Sequence, residues 1–173
     1  GGALKQAQPL GVAGIAGIDV APDMIQAAQL EIPEADLKTG SVSELPWEDA
    51  SFDMVISVEA MYYFADVPAA LSEIFRVLKP GGRFVSAIEF YVDNKGSLGW
   101  AKPLPMDLQT LSEEEWSNAF QSVGFVTIET SRIRREKYLA PADFSPNKYF
   151  ATYEEYAAYI FEGALCISGV KRG

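Results

Sequence analysis

The sequence predicts an α/β fold: a doubly wound sheet of mainly parallel strands with helices on both faces. Three observations point there. Short apolar runs of strand length alternate with segments of helical period along the whole chain. The strand–helix–strand spacing calls for right-handed crossovers, which put strands parallel and cover both sheet faces. The 173 residues, 49% hydrophobic and 22% charged, suit one soluble globular domain with a sizeable core.

The elements follow in order. GIAGIDV (14–20) is a short apolar run ending in an acid. After it, Pro22 takes a first helical position, where its missing N–H costs nothing, and Met24, Ile25 and Ala28 carry the helical spacing. ADLKTGSV (35–42) is a second strand candidate, and FDMVISVE (52–59) is short, apolar and bounded by polar residues. DVPAALSEIFRVL (66–78) reads as a helix capped by Asp66, with Pro68 in its first turn and Val67, Ala70, Leu71, Ile74, Phe75 and Leu78 on one face. Lys79-Pro80-Gly81-Gly82 should end it, and RFVSAIEF (83–90) is the next strand.

Ser112 and Glu115 have capping-box spacing, with Leu111 and Trp116 placed as a hydrophobic staple. Trp116, Ala119, Phe120 and Val123 form a core-facing stripe that Gly124 stops. FVTIETSRI (125–133) is a strand. Thr152 and Glu155 repeat the capping-box spacing before a helix with Tyr156, Ala157 and Ile160, and ALCISGVK (164–171) is the last strand. The stretches 91–111 and 136–151 lack a clear period and are expected as loops over one sheet edge, of a length often tied to function.

Composition removes several classes of chemistry. Without histidine, there is no His-based zinc site, Ser-His-Asp triad or Cys-His dyad. Cys166 stands alone, so neither an internal disulfide nor a thiolate metal site can form from it. Fourteen basic against 24 acidic residues give a net charge of −10, which repels phosphate backbones, so no nucleic-acid partner is expected. The basic group Arg132, Arg134, Arg135 and Lys137 reads as a solvated strand end. No apolar run approaches the roughly 20 residues that span a bilayer, so no membrane partner is expected either. The acidic surface and lone cysteine suit a cytoplasmic setting. The oligomeric state is not legible, with a homodimer as one option.

Three blocks carry a family resemblance: GIDVAPDMIQAA (17–28), GSVSELPWEDASFDMVIS (40–57) and ALSEIFRVLKPGGRFV (70–85). In this order and spacing the chain resembles a class I S-adenosylmethionine-dependent methyltransferase of the type 11 kind, over roughly residues 14–135. The resemblance implies a Rossmann-like sheet whose last strand, here 164–171, runs antiparallel. It also implies S-adenosylmethionine as cofactor, S-adenosylhomocysteine as product and a small-molecule acceptor. The family opens with a strand and a glycine-rich turn. Here Gly1 and Gly2 match the tail of that turn or a tag remnant; the first is expected, since ALKQAQPLG (3–11) sits where the first helix should follow. A stretch of the natural protein is therefore expected to precede Gly1, and without that strand two edges are left unpaired.

Ligands of such sheets bind beyond the carboxyl ends of the strands. The resemblance then assigns Asp19 to the ribose hydroxyls, a charge-assisted contact, although the residue would also complement a helix dipole. Val20 and Met24 flank the adenine. Ser41 stands where the family usually has an Asp for the adenine amino group, and the Val42 amide can donate to a ring nitrogen. Ser57 and Val58 lie near the donor's methionine portion. Glu59 has three readings: holding the donor, meeting the substrate, or pairing with a basic side chain. Of Tyr62 and Tyr63, one is expected to be functional and one core. Glu89 and Tyr91 share a face by strand alternation, and Trp100 is a lid candidate; Tyr63, Tyr91 and Trp100 are the substrate-binding expectations. Without histidine, Glu59, Glu89 or Tyr62 is left to act as base, with bulk water as the alternative. A nicotinamide-dependent reductase and a non-catalytic binding module are the rival functions; against the first, Tyr138 has no lysine four residues on.

Overall fold

The computed structural model describes residues 12–101 and 107–173, with the backbone alone for Trp100 and Ala101. Gly1, Gly2 and the helix expected over 3–11 lie outside these residues. Among the described residues, ten strands and α-helices follow one another: β1 (Ala16–Asp19), α1 (Pro22–Glu31), β2 (Asp36–Thr39), β3 (Phe52–Val58), α2 (Val67–Val77), β4 (Leu78–Ile88), α3 (Glu113–Ser122), β5 (Phe125–Ile133), α4 (Tyr153–Glu162) and β6 (Ala164–Lys171). β1 and β2 pair in parallel, and the other strands are ordered β3-β4-β6-β5. β3 and β4 are parallel, whereas β6 is antiparallel to both β4 and β5. One reversed strand in an otherwise parallel set is the expected topology. Among the described residues, β1 and β3 do not pair with each other.

Local chemistry sets the element ends. The Asp66 carboxylate accepts the Ala69 N–H at 2.9 Å and starts α2. Both capping boxes form, Ser112 with Glu115 and Thr152 with Glu155. One boundary differs from expectation. The helix ends at Val77, and Leu78 already pairs with Phe52, so Lys79–Gly82 belong to β4. A register shift between Phe52 and Met54 absorbs the surplus residues, with Gly81 at φ +81° inside it. Val77 and Leu78 are both buried, because the last turn of the helix runs directly into the sheet.

The core lies between the sheet and helices α2 and α3. Leu71, Ile74, Phe84, Ile88, Trp116, Phe120, Phe125, Leu165 and Ile167 form it, with Phe84 and Phe120 stacked at 5.2 Å. Each large side chain here contributes about 1.5–3 kcal/mol by leaving water. Arg76 ties the segment between β2 and β3 to this body: its guanidinium reaches the Leu45 and Trp47 carbonyls at 3.0 and 2.8 Å and the Asp49 carboxylate at 2.8 Å. Trp47 packs edge-on against Phe52 at 5.3 Å and so fastens the turn before β3.

The stretch after β4 is partly packed rather than a free loop. Asn94 and Ser97 are fully buried, and Asn94 Nδ2 donates to the Gly163 carbonyl at 3.2 Å. Gly96 lies so close to α4 that a Cβ would stand 2.5 Å from the Tyr159 nitrogen and 2.6 Å from the Glu155 carbonyl oxygen. Backbone cannot yield as a side-chain tip can. Gly96→Ala is therefore expected to destabilise the protein by about 2–3 kcal/mol, seen as a Tm lower by roughly 5–10 °C in a thermal melt. An unchanged Tm would show that this strap does not hold α4.

Candidate active site at the carboxyl ends of the strands

At the end of β1, Asp19 Oδ1 accepts the Ala21 N–H at 2.9 Å. Its other oxygen accepts no hydrogen bond from the described residues. The Gly40 N–H donates to the Asp19 carbonyl at 3.0 Å, which brings the ends of β1 and β2 together. Val20 and Met24, 73% and 51% exposed, stand beside Asp19 as apolar side chains left open to solvent. Ser41 is exposed, and its hydroxyl accepts the Ser43 N–H at 3.2 Å, shaping the turn that follows β2. Val42 packs partly against the core.

A carboxylate with one free oxygen, open apolar walls and a turn hydroxyl fit a nucleoside: acceptor for sugar hydroxyls, flanks for a flat base, a polar edge for an amino group. Asp19, Val20, Met24, Ser41 and Val42 are thus brought to one rim. Val58, at the end of β3, is half exposed as well. The Ser57 hydroxyl is enclosed and without a hydrogen-bond partner, like that of its register neighbour Ser86. Any contact of Ser57 with a ligand therefore falls to its backbone.

Past β3 the chain turns sharply. Glu59 takes φ +54°, the left-handed region where a side chain is strained. Its N–H still donates to the Ala87 carbonyl at 2.9 Å, so the turn begins while the residue remains tied to β4. Its carboxylate is gripped twice: Oε1 accepts the Glu89 N–H at 2.9 Å and Oε2 accepts the Tyr62 hydroxyl at 3.0 Å. Burial pushes the Glu59 carboxyl up to about 7, the negative charge of Glu89 adding to it; the bonds from Tyr62 and the Glu89 N–H and the charge of Arg135 act against the rise. Burial, then the charge of Glu59, pushes the Tyr62 hydroxyl above its ordinary value, so it stays a donor.

The remaining candidates separate. Tyr62 is buried in the one-turn 3-10 helix Met61–Tyr63, whereas Tyr63 is 49% exposed and open to a ligand; the two rings lie 4.5 Å apart. Tyr91 does not share the exposure of Glu89. The strand stops at Ile88, and Tyr91 is fully buried with its hydroxyl donating to the Gly163 carbonyl at 3.0 Å and Arg132 over its ring. It holds the α4–β6 corner and offers no surface to a substrate, because the alternation that would have paired it with Glu89 ends with the strand. Trp100 lies in the 3-10 turn Leu98–Ala101, but its side chain is outside the described residues.

Two neighbours of the carboxylates were not legible beforehand. Arg135 Nη2 donates to Glu89 Oε1 at 3.3 Å and to the Tyr159 hydroxyl at 3.2 Å. Burial and then the neighbouring Glu89 carboxylate push the Tyr159 hydroxyl above its ordinary value. The sequence puts Arg135 at a solvated strand end and Tyr159 inside a helix, and only the fold brings both beside Glu89. Its helical spacing from Tyr156 was the one available signal.

Glu59 also sets a stability test. Its carboxyl holds a proton more tightly in the folded than in the unfolded chain, so the folded state binds more protons between about pH 4.5 and 7 and stability falls as pH rises through that window. Glu59→Gln keeps an acceptor for the Glu89 N–H and removes this titration. Its Tm should decline less than that of the parent between pH 5 and 8; parallel curves for the two proteins would count against a buried titrating Glu59.

Among the described residues no helix is long and apolar enough to cross a membrane, and no group of three or more His, Cys, Asp or Glu side chains could hold a metal.

Comparison with known proteins gives this chain a family. Residues 1–86 match the family model described as a methyltransferase domain. The probable phthiotriol/phenolphthiotriol dimycocerosates methyltransferase 2 of Mycobacterium ulcerans is 39% identical over 139 residues, 79% of this chain and 46% of that protein. The chain spans about half the length of the curated relatives it matches. In the solved complex between the Haloferax volcanii Trm112 methyltransferase activator and its methyltransferase, the matched chain is 32% identical with a TM-score of 0.90, covering 99% of this chain and 78% of that one. Haemonchus contortus phospholethanolamine N-methyltransferase 2, solved with phosphomonomethylethanolamine and S-adenosylhomocysteine, shares the fold at a TM-score of 0.73 and 20% identity, over 100% of this chain and 46% of its own. With a strand order and a 32%-identical solved relative in agreement, the chain belongs to the class I S-adenosylmethionine-dependent methyltransferase family.

Proposed function

We propose that this chain transfers a methyl group from S-adenosylmethionine to a small polar acceptor, with Asp19 gripping the donor's ribose and Glu59 taking the acceptor's proton. The observation that most supports it is the Asp19 carboxylate, anchored by the Ala21 N–H through one oxygen, with the exposed Val20 and Met24 alongside. Those two side chains would enclose the adenine, and the Ser41 hydroxyl with the Val42 amide would meet its polar edge. Val58 and the backbone of Ser57 would border the methionine portion. Bound S-adenosylmethionine supplies a methyl group on a positively charged sulfur and leaves as a neutral thioether.

The chain's own contribution is alignment and proton handling. Held alignment of two reactants is worth on the order of 7–11 kcal/mol. The acceptor's heteroatom gives its electron pair to the methyl carbon as the carbon–sulfur bond breaks. Its proton passes to the Glu59 carboxylate, which the Tyr62 hydroxyl holds in place. A base that titrates near neutrality combines a useful ionised fraction with enough basicity. Tyr63, exposed beside this carboxylate, would face the acceptor.

Isothermal titration of the full-length protein with S-adenosylmethionine, S-adenosylhomocysteine and NADH tests the donor, followed by labelled-methyl transfer to a panel of amines, carboxylic acids and phenols. Binding of both sulfur nucleosides and transfer to a panel member are expected. Binding of NADH alone would overturn the proposal, and donor binding without any transfer would favour a non-catalytic module. The Haloferax relative, solved with the Trm112 activator, supports a protein partner as well: an activator of that kind is expected to co-elute with this chain in gel filtration, and separate elution would oppose it.

A further inference from the structure

We propose that Arg135 is a positioning residue for methyl transfer: from beyond the end of β5 it holds Glu89 against Tyr159 and so governs the ionisation of Glu59. The proposal rests on Glu59 being the base, and on a continuous set of contacts from four parts of the fold. The Tyr62 hydroxyl donates to Glu59 at 3.0 Å from the 3-10 turn after β3. The Glu89 N–H, past the end of β4, donates to the other Glu59 oxygen at 2.9 Å. The Glu89 side chain accepts from Arg135 at 3.3 Å, and Arg135 also donates to the Tyr159 hydroxyl of α4 at 3.2 Å. The Arg135 guanidinium lies 5.8 Å from the centre of the Tyr159 ring. Among the described residues, Glu89, Tyr62, Arg135 and Tyr159 are thus the titratable and charged groups that bear on Glu59.

The arrangement gives Glu59 two opposed neighbours. The negative charge of Glu89 resists ionisation of Glu59, and the positive charge of Arg135 favours it. Because one guanidinium nitrogen touches both Glu89 and the Tyr159 hydroxyl, Arg135 fixes where the Glu89 charge sits as well as offsetting it. A guanidinium suits this task, since its charge is permanent and its donors are set in a rigid fork. The side chain of Arg135 is 62% exposed, so replacing it leaves the core intact.

The test reads Glu59 itself and needs neither donor nor acceptor. In full-length protein with carbon-13-labelled glutamate, the Glu59 carboxyl resonance is assigned by its loss in Glu59→Gln and followed from pH 4 to pH 9. Arg135→Gln should move its midpoint up, by no more than about 1 unit, since the guanidinium touches Glu89 and not Glu59 itself. Arg135→Lys, which keeps the charge, should bring it most of the way back, and Glu89→Gln should move it down. A midpoint unmoved in Arg135→Gln overturns the inference, and Glu89→Gln failing to lower it does the same. Failure of the underlying function is distinguishable: if Glu59→Gln keeps the pH dependence of transfer, the base assignment falls, and with it the role of Arg135 in the reaction, whatever the resonance does.

Discussion

If Asp19 grips the donor's ribose as proposed, replacing it with asparagine should weaken S-adenosylmethionine binding by roughly tenfold to a hundredfold, because hydrogen bonds to a charged acceptor are worth about 1.5–3 kcal/mol and each 1.4 kcal/mol is a factor of ten. Asparagine is the informative change. It retains an oxygen for the Ala21 N–H that Asp19 accepts at 2.9 Å, so the turn leading into α1 keeps its hydrogen bond while the negative charge proposed to meet the ribose is lost. Titration calorimetry should show the affinity of S-adenosylmethionine and S-adenosylhomocysteine falling together, since both carry the same ribose, with Tm changed by only a few degrees. A mutant that binds both as tightly as the parent would reduce Asp19 to a helix-start acid. A mutant with a collapsed Tm would show that the carboxylate's chief work is local structure.

Much of the fold was written in local sequence chemistry, for reasons visible in particular residues. Asp66, Ser112 and Thr152 each precede a helical run at capping distance, and each side chain accepts the backbone N–H that the spacing predicted. Trp116 at the staple position is fully buried. These signals act over three or four residues, so sequence alone carries them. The helical pattern runs one residue past the end of α2, because Leu78 pairs with Phe52, a partner more than twenty residues away, and the register shift after Phe52 takes up Lys79–Gly82.

The site divides the same way. Asp19 and Glu59 follow short apolar runs, and strand ends are where such a sheet gathers ligands, so both could be named. Tyr91 was misjudged because alternation was carried past Ile88, where β4 stops. Arg135 and Tyr159 reach Glu89 from positions 46 and 70 residues along the chain, and no local pattern records such a meeting.

Glu59→Gln should lower the rate of methyl transfer by about a hundredfold to ten-thousandfold at pH 8, the usual cost of losing a general base. The sign of the pH dependence makes the test specific. The Glu59 carboxyl is pushed up to about 7 by burial and by Glu89, so the parent is mostly protonated at pH 6 and mostly ionised at pH 8. Its kcat/KM should rise about tenfold per unit below pH 7 and level off above it. The amide variant has no such limb, and its residual rate should be flat across the window. Glu89→Gln removes a negative charge that opposes ionisation, so its limb should move to lower pH with the plateau largely kept. These two variants separate a base from a mere anchor, because an anchor lost at Glu59 would lower the rate equally at every pH. If Glu59→Gln and Glu89→Gln both retain full turnover with the rising limb intact, the proton leaves to bulk water and alignment alone carries the catalysis.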